Sequence, residues 1–126
     1  MEKMGKKILI VDDEEETQAL LEFLLRPEGH ILYKAGDGEE GLSLAIREQP
    51  DLIILDVILP SISGWEVCEK LKENQKTRDI PIIFVTIKDM PRDASRFTSM
   101  IAGYFTKPFK KAELKKRIKE LLDQEK

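Results

Sequence analysis

Asp51-Leu52-Ile53-Ile54-Leu55-Asp56 is the stretch whose reading decides the fold. Four aliphatic residues in a row between two carboxylates lack the alternation of a half-buried strand and the length of a core helix. They read as a short strand buried on both faces, the kind found in a parallel sheet covered by helices. Working outward, three more apolar runs stop in a similar way. Ile8-Leu9-Ile10-Val11 ends in Asp12-Asp13, Ile82-Ile83-Phe84-Val85 ends in Thr86, and Tyr104-Phe105-Thr106 leads into Lys107-Pro108. In open parallel sheets the ligand site lies beyond the carboxyl ends of the strands. An acid pair, a single acid, a hydroxyl and an amine would therefore meet at one rim. One such ending means little, because every strand must leave the core through some polar residue. Four of them, all able to handle a phosphate or a metal, are not expected of chance.

Strands are expected near residues 7–12, 30–35, 51–56, 81–86 and 103–106. Between them lie segments of helical periodicity: 14–26 with Leu20, Leu21 and Leu24, 38–48 with Leu42, Ala45 and Ile46, and 64–74 with Val67, Cys68 and Leu71. A last helix is expected over about 109–124 on Leu114, Ile118, Leu121 and Leu122. The segment 88–101 is polar, has few core anchors and is the weakest, but is also assigned to a helix. Strict strand–helix alternation with short links implies a parallel sheet with right-handed crossovers. The expected architecture is a single α/β domain over residues 1–126, a flavodoxin-like doubly wound sheet of five strands in the order 2-1-3-4-5 with five helices. Asp37 and Ser63 are placed to cap the second and third helices, and Pro27 to stop the first. Pro50 and Pro81 stand at strand entries, where a missing N–H does least harm.

A chain of 126 residues is enough for one well-covered core and leaves little room for a second domain. The net charge of −3 argues against non-specific nucleic-acid binding by the whole chain. Charge is uneven, however: residues 107–126 hold eight Lys or Arg against four Asp or Glu. A solvated helix face accounts for that excess; a docking surface for an acidic partner is the sharper alternative. No apolar stretch approaches the roughly 20 residues needed to cross a bilayer, and residues 1–7 show no signal-like pattern, so a cytoplasmic location without membrane partners is expected. Cys68 is the only cysteine and reads as a small core residue in register with Gly64 and Leu71. His30, the sole histidine, falls at a strand start far from the rim and is no candidate phosphohistidine. Trp65 and Phe23 are expected to pack into the helix–sheet layers, and Met90 and Met100 to fill gaps.

Val11-Asp12-Asp13-Glu14-Glu15, Leu55-Asp56-Val57-Ile58-Leu59-Pro60, the Thr86 strand end and Thr106-Lys107-Pro108-Phe109 together resemble the receiver domain of two-component response regulators, over nearly the whole chain. The resemblance implies that Asp56 is the nucleophile, accepting a phosphoryl group from a histidine kinase or phosphotransfer protein. It implies one cofactor, Mg²⁺, held by Asp13, Asp56 and the carbonyl of Ile58, with Asp12 acting largely through water. The residues suit this, since crowded carboxylates repel one another until a proton or cation intervenes, and Mg²⁺ prefers oxygen ligands. Lys107 would stabilise the phosphoryl oxygens from the other side, and the bond to Pro108 resembles one that is cis in the family. Thr86 and Tyr104 would form a switch that alters the face of the fourth helix, fifth strand and fifth helix. That face would meet a downstream protein target or an output domain, and as a monomer or weak dimer the domain would act without contacting nucleic acid itself. Such a domain is no enzyme beyond its own phosphoryl transfer and slow dephosphorylation.

Three features depart from the family pattern. Ile87 stands where a small residue usually leaves a path to the aspartate, Ser99 to Tyr104 lacks the usual acidic pair, and the span from Thr86 to Lys107 is slightly short. Two alternatives remain open on the residues: a receiver-shaped docking module that is never phosphorylated, and a dehalogenase-like phosphohydrolase using Asp12 with Glu14 as the acid two residues on.

Overall fold

Five parallel strands, β1 (Lys7–Val11), β2 (Ile31–Ala35), β3 (Leu52–Leu55), β4 (Ile82–Thr86) and β5 (Gly103–Thr106), form one sheet in the order β2-β1-β3-β4-β5 in the computed structural model, which describes residues 5–92 and 95–123. The expected order is thus observed, with β1 and β3 adjacent at the centre in the register Ile10↔Ile54 and Val11↔Leu55. The connecting helices are α1 (Glu15–Leu25), α2 (Gly38–Glu48), α3 (Gly64–Glu73), α4 (Ser95–Thr98) and α5 (Lys111–Asp123). Asp37 and Ser63 cap α2 and α3 as expected, their side chains accepting the N–H groups of Glu40 and Glu66.

Side-chain alternation splits the core into two layers, one on each side of the sheet. Leu9, Val11, Ile53, Leu55, Ile82 and Phe84 pack with Ala45 of α2 and with Val67, Cys68 and Leu71 of α3. Ile8, Ile10, Leu52, Ile54, Ile83 and Val85 pack with Leu21, Leu24 and Leu25 of α1 and with Leu114, Ile118 and Leu122 of α5. Strands buried on both faces explain why the runs carry no polar alternation. Cys68 is fully buried, and burial pushes its thiol up to about 11, so it is the inert core residue expected.

Several expectations are corrected. The helix expected over 88–101 shrinks to the single turn of α4 among the described residues; Met90-Pro91 interrupts it, and no apolar periodicity holds it to the sheet. Phe23 is 74% exposed, because α1 turns Leu21, Leu24 and Leu25 inward and residue 23 falls on the opposite side. Met90 is exposed as well, whereas Met100 packs against the α2–α3 layer. The α-helix does stop before Pro27, with α1 ending at Leu25, though not by an abrupt exit. The backbone tightens into a 3₁₀ turn over Arg26–Glu28 and reverses at Gly29 with a φ of 81°. Among the described residues no helix is long and apolar enough to cross a membrane.

Candidate functional site

The rim is built by backbone hydrogen bonds that continue the sheet past its strand ends. Asp12 N–H donates to Ala35 O, Asp56 N–H to Val11 O, and Lys107 N–H to Thr86 O, at 3.0, 3.0 and 2.7 Å. Each residue is thereby held in strand-like register, and alternation gives it a face. Asp12, Asp56 and Lys107 follow Ile10, Ile54 and Phe105 on the side of α1 and α5, whereas Thr86 follows Phe84 on the side of α3. Gly64 at the start of α3 is required for close approach: a Cβ there would collide with the carbonyl oxygen of Asp56. The Lys107–Pro108 peptide is cis.

Asp12, Asp13 and Asp56 bring one carboxylate oxygen each to within 4.8 Å of the others. Asp12 and Asp56 are buried and Asp13 is exposed. The Lys107 ammonium lies between the acids, with Nζ at 3.1 Å from Asp12 Oδ2, 3.1 Å from Glu14 Oε1, 3.3 Å from Thr17 Oγ1 and 3.4 Å from Asp56 Oδ2. The remaining oxygens are tied to the turns that follow: Glu14 N–H donates to Asp12 Oδ1 at 2.8 Å and Ile58 N–H to Asp56 Oδ1 at 3.1 Å. Of the residues expected to hold Mg²⁺, Asp12, Asp13 and Asp56 are thus brought together, and Ile58 joins them through its N–H bond to Asp56. Their donor set fits a hard cation, because it is all oxygen and carries more negative charge than one lysine balances.

Burial raises the Asp12 carboxyl above its ordinary value, against the lowering effect of the Glu14 N–H and of Lys107. For Lys107 burial works downward, but Asp12, Asp56 and Glu14 prevail and raise it, so the ammonium is firmly charged. Glu14 is lowered, chiefly by its hydrogen bond from Lys107.

Thr86 is fully buried, and its Oγ1 accepts the Lys88 N–H at 3.4 Å. Tyr104 donates its hydroxyl to the carbonyl of the same residue at 2.7 Å. The two residues expected to form a switch therefore hold opposite ends of Lys88 in the β4–α4 loop. Tyr104 also stacks on Trp65 at a centroid distance of 6.0 Å, and Trp65 contacts Phe84 and Phe97 at 4.5 and 4.4 Å. Ile87 and Ile58 are 65% and 47% exposed, so neither is packed down over the buried acids.

Glu14 and Thr17 contact Lys107 without having been singled out by the sequence for that role. Thr17 had a visible signal: it is a polar residue on the inward face of α1, in line with Leu21 and Leu24. Glu14 had only its place after the acid pair. Its carboxylate accepts from Lys107 and from the Thr17 hydroxyl.

An acid pair, a central buried aspartate and a lysine at the carboxyl ends of a five-stranded parallel sheet are the plan of a signalling receiver domain. The profile of the response regulator receiver domain matches residues 8–119, and the chain belongs to that family. It is a receiver domain of two-component signal transduction. Among curated proteins it is 43% identical, over 120 residues, to the alkaline phosphatase synthesis transcriptional regulatory protein PhoP of Bacillus subtilis (strain 168). The match covers 94% of this chain and 49% of PhoP, so the chain spans about half the length of that relative. Among solved structures it is similar to the receiver domain of sensor histidine kinase PA1611 from Pseudomonas aeruginosa PAO1, solved with a magnesium ion in its active-site cleft. That likeness has a TM-score of 0.84 at 27% identity and covers 95% of this chain and 99% of that one. The signal receiver domain of a signal transduction histidine kinase from Syntrophus aciditrophicus is similar to the same degree, with a TM-score of 0.84 at 33% identity, covering 94% and 91%.

Proposed function

We propose that residues 1–126 form one receiver domain in which Asp56 accepts a phosphoryl group in the presence of Mg²⁺ and thereby switches a protein-binding face. The observation that carries this is the convergence on one rim of three carboxylates and a lysine whose ammonium touches both Asp12 and Asp56. A carboxylate oxygen of Asp56 attacks the phosphorus of a phosphohistidine on a kinase or phosphotransfer protein. The P–O bond forms as the P–N bond breaks, and the imidazole leaves with the bonding electrons. When bound by Asp13, Asp56 and the Ile58 carbonyl, with Asp12 through water, Mg²⁺ supplies positive charge that offsets repulsion between the carboxylate and the anionic phosphoryl group. Lys107 supplies a charged donor to a phosphoryl oxygen from the other side. Asp12 holds that lysine over the site.

The Thr86 hydroxyl then turns from the Lys88 N–H to a phosphoryl oxygen, which loosens the loop whose carbonyl holds the Tyr104 hydroxyl. Tyr104 moves inward, and the face of α4, β5 and α5 changes. We assign that face to a downstream protein or an output domain, and to weak self-association. Nucleic acid is not contacted by this domain itself. A phosphohistidine donor made by a kinase from cellular ATP supports a cytoplasmic location for the domain.

Incubation with Mg²⁺ and acetyl phosphate, read by intact mass, should add one phosphoryl group. The adduct should vanish in Asp56→Asn and persist in part in Asp12→Asn. Lack of any adduct, or one that survives Asp56→Asn, would overturn the assignment.

A further inference from the structure

The Lys107 ammonium is oversubscribed. It has three hydrogens to donate and four oxygen acceptors in reach, of which Asp56 is the most distant at 3.4 Å. Asp12, Glu14 and Thr17 lie at 3.1, 3.1 and 3.3 Å. Glu14 and Thr17 are coupled, since the Thr17 hydroxyl donates to Glu14 Oε1 at 3.1 Å. Together they make a seat at the start of α1, Glu14 just before the helix and Thr17 in its first turn. The Thr17 half is buried within α1, whereas the Glu14 side chain is 62% exposed.

We propose that Glu14 and Thr17 are positioning residues that hold Lys107 in a resting seat and compete with the incoming phosphoryl group for its ammonium. A phosphoryl oxygen on Asp56 needs a Lys107 hydrogen, and because Asp56 is the most distant of four acceptors for three hydrogens, that hydrogen must come from Asp12, Glu14 or Thr17. Asp12 is the costliest to strip, because a buried carboxylate left without its cation has no water to replace it. Glu14 is the cheapest, because water reaches its carboxylate as soon as the lysine leaves. The seat therefore slows phosphorylation through Lys107, without Glu14 or Thr17 touching Asp56 or the phosphoryl group. It rests on the reading that Lys107 stabilises the phosphoryl group on Asp56.

The test compares labelling rates by acetyl phosphate at saturating Mg²⁺ for the wild-type chain, Glu14→Gln, Thr17→Val and the double variant. An ion pair this exposed is worth little, so release of Lys107 should raise the rate by about two- to fivefold in Glu14→Gln. Thr17→Val changes no charge and nearly no volume. It should raise the rate in the same direction, which a general relief of negative charge at the rim would not do. The double variant should gain less than the product of the two single gains, because both residues belong to one seat. Affinity for beryllofluoride, a stand-in for the phosphoryl group, should rise in parallel. Unchanged rates in Glu14→Gln, or an increase there with none in a folded Thr17→Val, would overturn the seat. A slower Glu14→Gln would do the same, by showing that Glu14 presents the lysine rather than withholding it. A wild-type chain that takes no label would instead overturn the phosphoacceptor reading, and the seat with it.

Discussion

Asp12 is almost wholly withdrawn from water, and burial lifts its carboxyl above the ordinary range despite bonds from the Glu14 N–H and Lys107. The folded state therefore binds this proton more tightly than the unfolded chain does. Stability contributed by Asp12 is greatest below the unfolded value and is lost as pH rises through the folded one. Ionised Asp12 is thus a net cost at neutral pH when no cation is supplied. In EDTA at pH 7, Asp12→Asn should stabilise the protein, read as a higher urea midpoint than that of the wild-type chain. The gain should shrink toward about pH 4, where carboxyl groups take up protons. Urea denaturation across that range checks it, and an equal or larger gain at low pH would refute it. Asp12 was legible as a site residue from its position after Ile8–Val11. That its burial would oppose its charge was not, because burial of a strand-end residue depends on what the neighbouring loops cover.

At the scale of elements, the aromatic contacts of Trp65 tie α3 to β4, α4 and β5. Trp65 lies 4.5 Å from Phe84, 4.4 Å from Phe97 and 6.0 Å from Tyr104, centroid to centroid. It is the single tryptophan, so its emission reports on one place. Addition of beryllofluoride with Mg²⁺ should change that emission as Tyr104 leaves its bond to the Lys88 carbonyl. Thr86→Ala, which removes the hydroxyl proposed to start the movement, should blunt the change even at beryllofluoride concentrations that saturate the variant, as judged by thermal shift. An undiminished response in Thr86→Ala would separate Trp65 from the switch. The long elements were legible because each carries its own periodicity, as in Leu21, Leu24 and Leu25 of α1 or Leu114, Ile118 and Leu122 of α5. The fourth helix was not. Its segment is polar and interrupted by Pro91, and a four-residue turn has too few positions to show a period. The same brevity hid the packing of Phe97 against Trp65.

Across the whole molecule, the sheet places the acid–lysine cluster and the Thr86–Tyr104 pair on opposite faces. Asp12, Asp56 and Lys107 continue the layer of α1 and α5, and Thr86 and Tyr104 continue the layer of α2 and α3. This division was latent in the runs themselves, since residue parity along a strand assigns faces, but only the register made it explicit. The two layers meet at the rim, and a cation bound there would stabilise the fold as a unit by its preference for the native state. At a free Mg²⁺ concentration ten times its dissociation constant the gain is about 1.4 kcal/mol. A core lesion remote from the rim should leave that gain intact. Ile118→Ala, in the middle of α5 and 3% exposed, should cost roughly 2–5 kcal/mol through transfer and cavity losses. Its Mg²⁺ increment should match the wild-type increment to within about 0.5 kcal/mol, as distant sites add. Asp13→Asn is the converse. Its side chain is exposed and outside the core, so stability in EDTA should hold or rise, while the Mg²⁺ increment should disappear. Chemical denaturation of the three proteins with and without Mg²⁺ decides the matter. A full increment in Asp13→Asn would remove that residue from the cation site. A lost increment in Ile118→Ala would show that the α5 layer and the rim are coupled rather than additive, because the cation would then need the packing of α5 to hold Lys107 and the acids in place.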